Sequence, residues 1–133
     1  MNTNKTVSIS SKIFISISIL SLGYVSILSL ISPQSTMNLV DVTLNNTDAL
    51  SSIRGIYGGA GLAISIGLVY LLFTDIKKAL GFLSLFWGGY AISRILTILI
   101  DGPLGDFGNQ WLVIESVFSM ISIGLFVWKS NLK

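Results

Sequence analysis

The 133-residue sequence predicts an all-α integral membrane bundle of four transmembrane helices, with the N and C termini both cytoplasmic. Two observations carry the first part of this. Hydrophobic residues make up 52% of the chain and charged residues only 11%, whereas a soluble domain carries about 25% charged residues. So few charges cannot clothe a globule, and lipid is the more natural solvent. The apolar residues are also gathered into four runs, each close to the ~20 residues that a spanning helix needs. The length suits one domain, 1–133.

The first run, 13–32, is uncharged and ends before Pro33. Lys5 and Lys12 precede it, as they would in a signal peptide. It exceeds the ~7–15 residues of a cleaved apolar core, however, and no A-x-A-like site follows, so it is expected to remain as a span. The second run, 53–73, carries only Arg54, and the third, 79–100, only Arg94. The fourth, 111–128, carries only Glu115 and has Trp111 and Trp128 at its ends, suited to the two aromatic belts of a bilayer.

Basic residues in the loops set the orientation. Lys5, Lys12, Lys77, Lys78, Lys129 and Lys133 all fall on one side. The opposite loops, 33–52 and 101–110, hold Asp41, Asp48, Asp101 and Asp106 and no lysine or arginine. That places both termini of a multi-pass membrane protein in the cytoplasm.

"TDIKK" is short enough to make the second and third helices an antiparallel hairpin. In the long external loop, Leu39, Val40, Val42 and Leu44 suggest a segment resting on the outer surface, and "NTDA" suggests a helix start capped by Asn46 or Thr47. In the second span Gly55, Gly59, Ala63 and Gly67 recur every four residues; in the third, Gly81, Ser84, Gly88 and Ala91 share a face. Small residues let membrane helices approach closely. The stripes are expected to serve hairpin packing within the bundle, with a homodimer seam as the alternative. Ser16, Ser18, Ser21, Ser26, Ser29 and Ser32 in the first span are expected to serve packing, each bonding its own backbone or a neighbour.

Arg94 lies seven residues before Asp101, about 10 Å along a helix. Trp87, Tyr90, Arg94, Thr97 and Asp101 form one stripe, while Glu115 shares a face with Ser119 and Ser122. One arginine or acid near a helix centre costs roughly 2.5–3.5 kcal/mol, much of which a salt bridge recovers. An Arg94–Glu115 pair is therefore expected, with Arg54 and Asp101 closing the cluster from above. Three readings compete: a structural clasp, arginines snorkelling to headgroups, and an outward-open pocket where arginines hold a phosphate or carboxylate. "DGP" reads as a turn, with Gly102 tolerating positive φ and Pro103 stopping the helix.

Arg54-x-x-Tyr57-Gly58-Gly59 at the start of one helix, Arg94 late in the next, Asp101-Gly102-Pro103 after it and Glu115 in the last together resemble the domain-of-unknown-function 4345 family. The likeness runs from the first span to the last. The resemblance implies a small four-helix bacterial membrane protein, draws interest to those residues, and brings no activity with it.

Cysteine and histidine are both absent, which removes thiol nucleophiles, the usual metal and haem ligands and the commonest general base. The net charge of +2 is scattered and offers no nucleic-acid footprint. No cofactor, metal or enzymatic activity is expected. The expected function is that of a non-catalytic accessory or interaction subunit of a larger membrane complex, surrounded by membrane lipids, with a homo-oligomer possible. The alternative is an outer-facing binding protein or carrier for a lipid or small anionic ligand, using Arg54, Tyr57, Arg94, Asp101 and Glu115.

Overall fold

The computed structural model describes residues 3–131, so Lys133, one of the six basic residues on the predicted cytoplasmic side, lies outside it. The described residues are helical with short connections and contain no strand. In chain order they form α1 (Thr3–Ile31), α2 (Pro33–Met37), a 3₁₀ turn (Asn38–Val40), α3 (Thr47–Ile53), a π-helical stretch (Arg54–Ala60), α4 (Gly61–Thr74), α5 (Ile76–Ile100) and α6 (Asp106–Asn131). Four continuous helices are long and apolar enough to cross a membrane: Asn4–Ile31, Thr47–Thr74, Ile76–Ile100 and Asp106–Asn131. The protein is an all-α membrane protein with four spanning helices.

Each helix outruns its apolar stretch. The 29 residues of α1 extend about 43 Å, against a hydrocarbon core of about 30 Å. The expected start at 13 moves back to Thr3 because the polar turns from Thr3 to Lys12 contain no glycine or proline to interrupt them. Likewise α6 starts at Asp106, not 111, with its acid in the first turn, where the helix dipole favours negative charge.

The helix ends follow from single residues. Pro33, which disfavours helix in the residue before it, ends α1 and then opens α2 from its first turn. Asn46 caps α3 by accepting from the Ala49 N–H at 2.7 Å, as one of the two capping expectations had it. Between the two, Gln34 straps the loop: its Nε2 donates to Asn38 Oδ1 and the Val42 carbonyl, and its Oε1 accepts from the Leu44 N–H. Leu39, Val40 and Val42 are left exposed. At the far end of α5, the Asp101 and Gly102 N–H groups both bond the Thr97 carbonyl, and Gly102 takes φ 108°, the left-handed stop expected of "DGP".

Asp75 caps α5, accepting from the Lys78 N–H at 3.0 Å, with Lys78 Nζ 3.2 Å from its other oxygen. The backbone bond first, then the side-chain bond, hold its carboxyl below the usual aspartate range. A group whose pKa is depressed by folding stabilises above its unfolded value, about 3.9, and loses that contribution as pH falls through the lowered value. Thermal unfolding in detergent from about pH 6 down to about pH 2 is therefore expected to show an acid-labile increment that Asp75→Asn lacks.

The described residues divide into two compact units, 3–15 with 74–131, and 16–73. In the first, α5 packs along α6. A methyl group on Gly88 would stand 3.2 Å from Ser119 Oγ, and one on Gly81 would stand 3.3 Å from the Phe126 ring. Ala91 is buried and Ser84 bonds the Leu80 carbonyl, and it is α6 that Gly81 and Gly88 on this face of α5 meet. Phe118 sits between Phe14 and Trp87, with ring centroids 5.5 and 5.1 Å away.

The second unit joins the later part of α1 to the π-helical stretch and α4. Gly58 meets Leu30, Gly61 meets Ser26 and Gly23 meets Ser65. Here the expectation is corrected. Gly55, Gly59, Ala63 and Gly67 are exposed, and a methyl group on Gly55 or Gly67 would touch nothing within 4 Å. The helix is rich in small residues on more than one face, and the one carrying Gly58, Gly61, Ser65 and buried Leu68 meets α1. The wider turns of a π-helix shift the phase of the residues beyond them, and the glycines of "RGIYGGA" ease that winding. The α1 serines do bond locally: Ser26 and Ser29 donate to the Leu22 and Val25 carbonyls, and Ser29 also meets Thr36.

Candidate functional site

Arg94 and Glu115 are brought together by the α5–α6 seam. Glycine at 88 and serine at 119 permit the close approach, and the two charged residues lie further along the same pair of helices. Arg94 Nε donates to Glu115 Oε2 at 2.6 Å, and Nη2 donates to Oε1 at 2.9 Å. This is the two-pronged guanidinium–carboxylate fork, among the strongest side-chain contacts available. The Glu115 side chain is 3% exposed and that of Arg94 is 21% exposed. The carboxylate is thus sealed and the guanidinium reaches the surface at its edge.

A guanidinium carries five N–H donors, and the fork uses two of them. Below the pair on α6, buried Ser119 and Ser122 continue the polar stripe, with Ser122 Oγ donating to the Ser119 carbonyl. Trp87 is buried about two turns before Arg94 on α5, and Tyr90 between them is exposed. A shallow groove of about 320 Å³ on α5 is lined by Phe86, Gly89, Tyr90 and Ser93.

The other candidate residues have separate places. Asp101 caps the end of α5, is exposed, and makes no ion pair among the described residues, so the expectation that it closes the cluster is not met. Its job is the helix stop. Arg54 Nε donates to the Leu30 carbonyl at 3.2 Å. Leu30 lies in the last turn of α1, where carbonyls have no partner within the helix and the dipole favours a cation. Arg54 thus ties the end of α1 to the start of the π-helical stretch, a role the sequence reading missed because it sought an acidic partner. Tyr57 is half-buried within that stretch.

The motif Arg54-x-x-Tyr57-Gly58-Gly59 coincides with the π-helical winding, Arg54–Ala60. Such turns are often found at functional positions. Here two of its residues have plain structural work: Arg54 holds the α1 end, and Gly58 leaves room for Leu30.

A family model described as "Domain of unknown function (DUF4345)" matches residues 10–126. No curated protein matches the chain, and no solved structure does.

Proposed function

The chain belongs to the DUF4345 family, a domain of unknown function, and we propose that it acts there as a non-catalytic interaction subunit, docking within the membrane against a helix of a larger complex. The observation that carries this is the exposed ridge of Gly55, Gly59, Ala63 and Gly67. Within its own unit the helix meets α1 through Gly58, Gly61 and Ser65, so the ridge is left over. Lipid tails are as apolar as leucine and give glycine no advantage at a lipid-facing position; another helix does.

The Arg94–Glu115 fork fits this reading as a clasp. Two opposite charges that neutralise each other hold α5 to α6 and leave little net field for a substrate. The basic residues at one end of the spans support an arrangement with both termini in the cytoplasm, in the inner membrane of a bacterium. A second reading, an anion-binding pocket at Arg94, is favoured by the three guanidinium donors outside the fork, from the five available.

The chain has no cysteine, so single cysteines can be introduced cleanly. Ala63→Cys on the ridge and Val69→Cys, exposed but about 120° around the helix from it, are to be cross-linked in native membranes. The expected result is an adduct from position 63 alone, heavier than two copies of the chain. A product of twice the chain mass would make the seam homodimeric. No adduct at 63, or equal adducts at both positions, would overturn the docking surface.

A further inference from the structure

At the opposite end of α5 from Asp101, the first unit carries a second feature that the clasp does not explain. A groove of about 450 Å³ is lined by Asp75, Lys77, Lys78, Gly81, Phe82 and Phe126. One helical turn beyond the lysines its lining is apolar, with Gly81 and the rings of Phe82 and Phe126. Its rim is charged. Lys77 Nζ sits 5.6 Å from the centroid of the Phe126 ring, which holds the ammonium against the groove wall. Lys78 is largely exposed and bonded to Asp75, and Lys129 comes three residues after Phe126, on the same side of α6.

We propose that this groove is a binding site for one anionic phospholipid of the leaflet at that end, its phosphate on Lys77 and Lys78 and an acyl chain on Gly81, Phe82 and Phe126. The ordering of chemistry along the helix axis carries the assignment. A phospholipid is anionic at the headgroup level and apolar one turn deeper, and the groove has cations at its rim and bare helix and rings one turn in. Asp75 opposes an anion, but it is spent on Lys78, and the rim formed by Lys77, Lys78 and Asp75 keeps a net charge of +1 (two cations less one anion). Lysines near a charged membrane surface attract anionic lipid measurably. The groove adds what a loose cationic patch lacks, an apolar wall formed by the Phe82 and Phe126 rings.

The test is native mass spectrometry of the full chain released from nanodiscs holding equal parts of phosphatidylcholine and phosphatidylglycerol. The wild type is expected to retain one lipid, enriched in phosphatidylglycerol. Lys77→Gln/Lys78→Gln should lower that enrichment by roughly fivefold or more, while Lys5→Gln/Lys12→Gln, at the same end of the chain's charge pattern, should leave it unchanged. Asp75→Asn keeps an acceptor for the cap and removes the opposing charge, so enrichment should rise, a change that a purely structural role would not produce. Phe82→Ala, which removes an exposed ring from the groove wall, should reduce retention of both lipids. Equal losses in the two lysine pairs, no loss in either, or no gain with Asp75→Asn would overturn the site.

Discussion

Glu115→Ala is expected to cost about 3–5 kcal/mol of stability, the scale for breaking a buried ion pair by removing one partner. Glu115 is sealed from the surface and takes both prongs of the Arg94 fork. Deleting it strands a guanidinium beside an apolar seam with no replacement acceptor. Arg94→Lys should also destabilise, because an ammonium is a point donor and cannot occupy both carboxylate oxygens with the same geometry. Glu115→Gln keeps an acceptor but loses the charge, and should fall between wild type and alanine. Arg94→Met/Glu115→Met is the informative control: removing both charges should restore most of the loss, since a well-packed apolar pair often matches a buried salt bridge. Thermal unfolding in detergent measures all four. If Glu115→Ala lies within about 0.5 kcal/mol of wild type, as a neutral surface change would, the fork is not a clasp.

Gly58→Val is expected to be the most damaging change in the second unit. A single methyl there would stand 2.7 Å from Leu30 Cδ2 and Cγ, and 3.2 Å from the Leu30 backbone nitrogen. The leucine tip can swing away, but the backbone nitrogen belongs to the last turn of α1 and cannot. Overpacking of this kind costs typically about 1–3 kcal/mol. The same displacement would pull the Leu30 carbonyl from Arg54, so Arg54→Ala should add little further loss in the Gly58→Val background. Gly55→Ala and Gly67→Ala are the contrast. Both meet open space, and alanine favours helix over glycine by up to about 1 kcal/mol, so stability should hold or rise. The comparison by thermal unfolding separates the face that folds the chain from the face left for a partner. Equal losses on both faces would contradict that separation.

The four spans could be read from the sequence because hydrocarbon thickness and backbone satisfaction leave few choices for runs so apolar. Their ends were less readable, since beyond the hydrocarbon water solvates helix and coil alike, and α1 runs on to Thr3 with nothing to stop it. Where one residue type enforces a geometry, as Pro33, Asn46 and Gly102 do, the local reading agrees with the structure. The Arg94–Glu115 pairing was readable for a related reason: an unpaired charge at that depth is costly, and few opposite charges were on offer.

What failed was the choice of helix face. "RGIYGGAGLAISIGL" has small residues at Gly55, Gly59, Ala63 and Gly67, and again at Gly58, Gly61 and Ser65. Spacing alone does not say which set meets α1, and a π-helical turn within the segment alters the phase on which such spacing rests. The partner of Arg54 was missed because only acidic side chains and lipid headgroups were considered for it. A carbonyl at a helix end is also a negative partner, and its position depends on how the chain folds back.

At the centre of this account is the claim that the chain works by docking its exposed small-residue ridge in the membrane. Native mass spectrometry of the protein, extracted gently from its own membrane, tests it most directly, with wild type beside Gly59→Leu/Ala63→Leu. Wild type is expected in a defined larger assembly, and the ridge variant is expected to be released from it while unfolding at an unchanged temperature. A wild type that migrates alone, or an assembly that survives the ridge change intact, would contradict the claim.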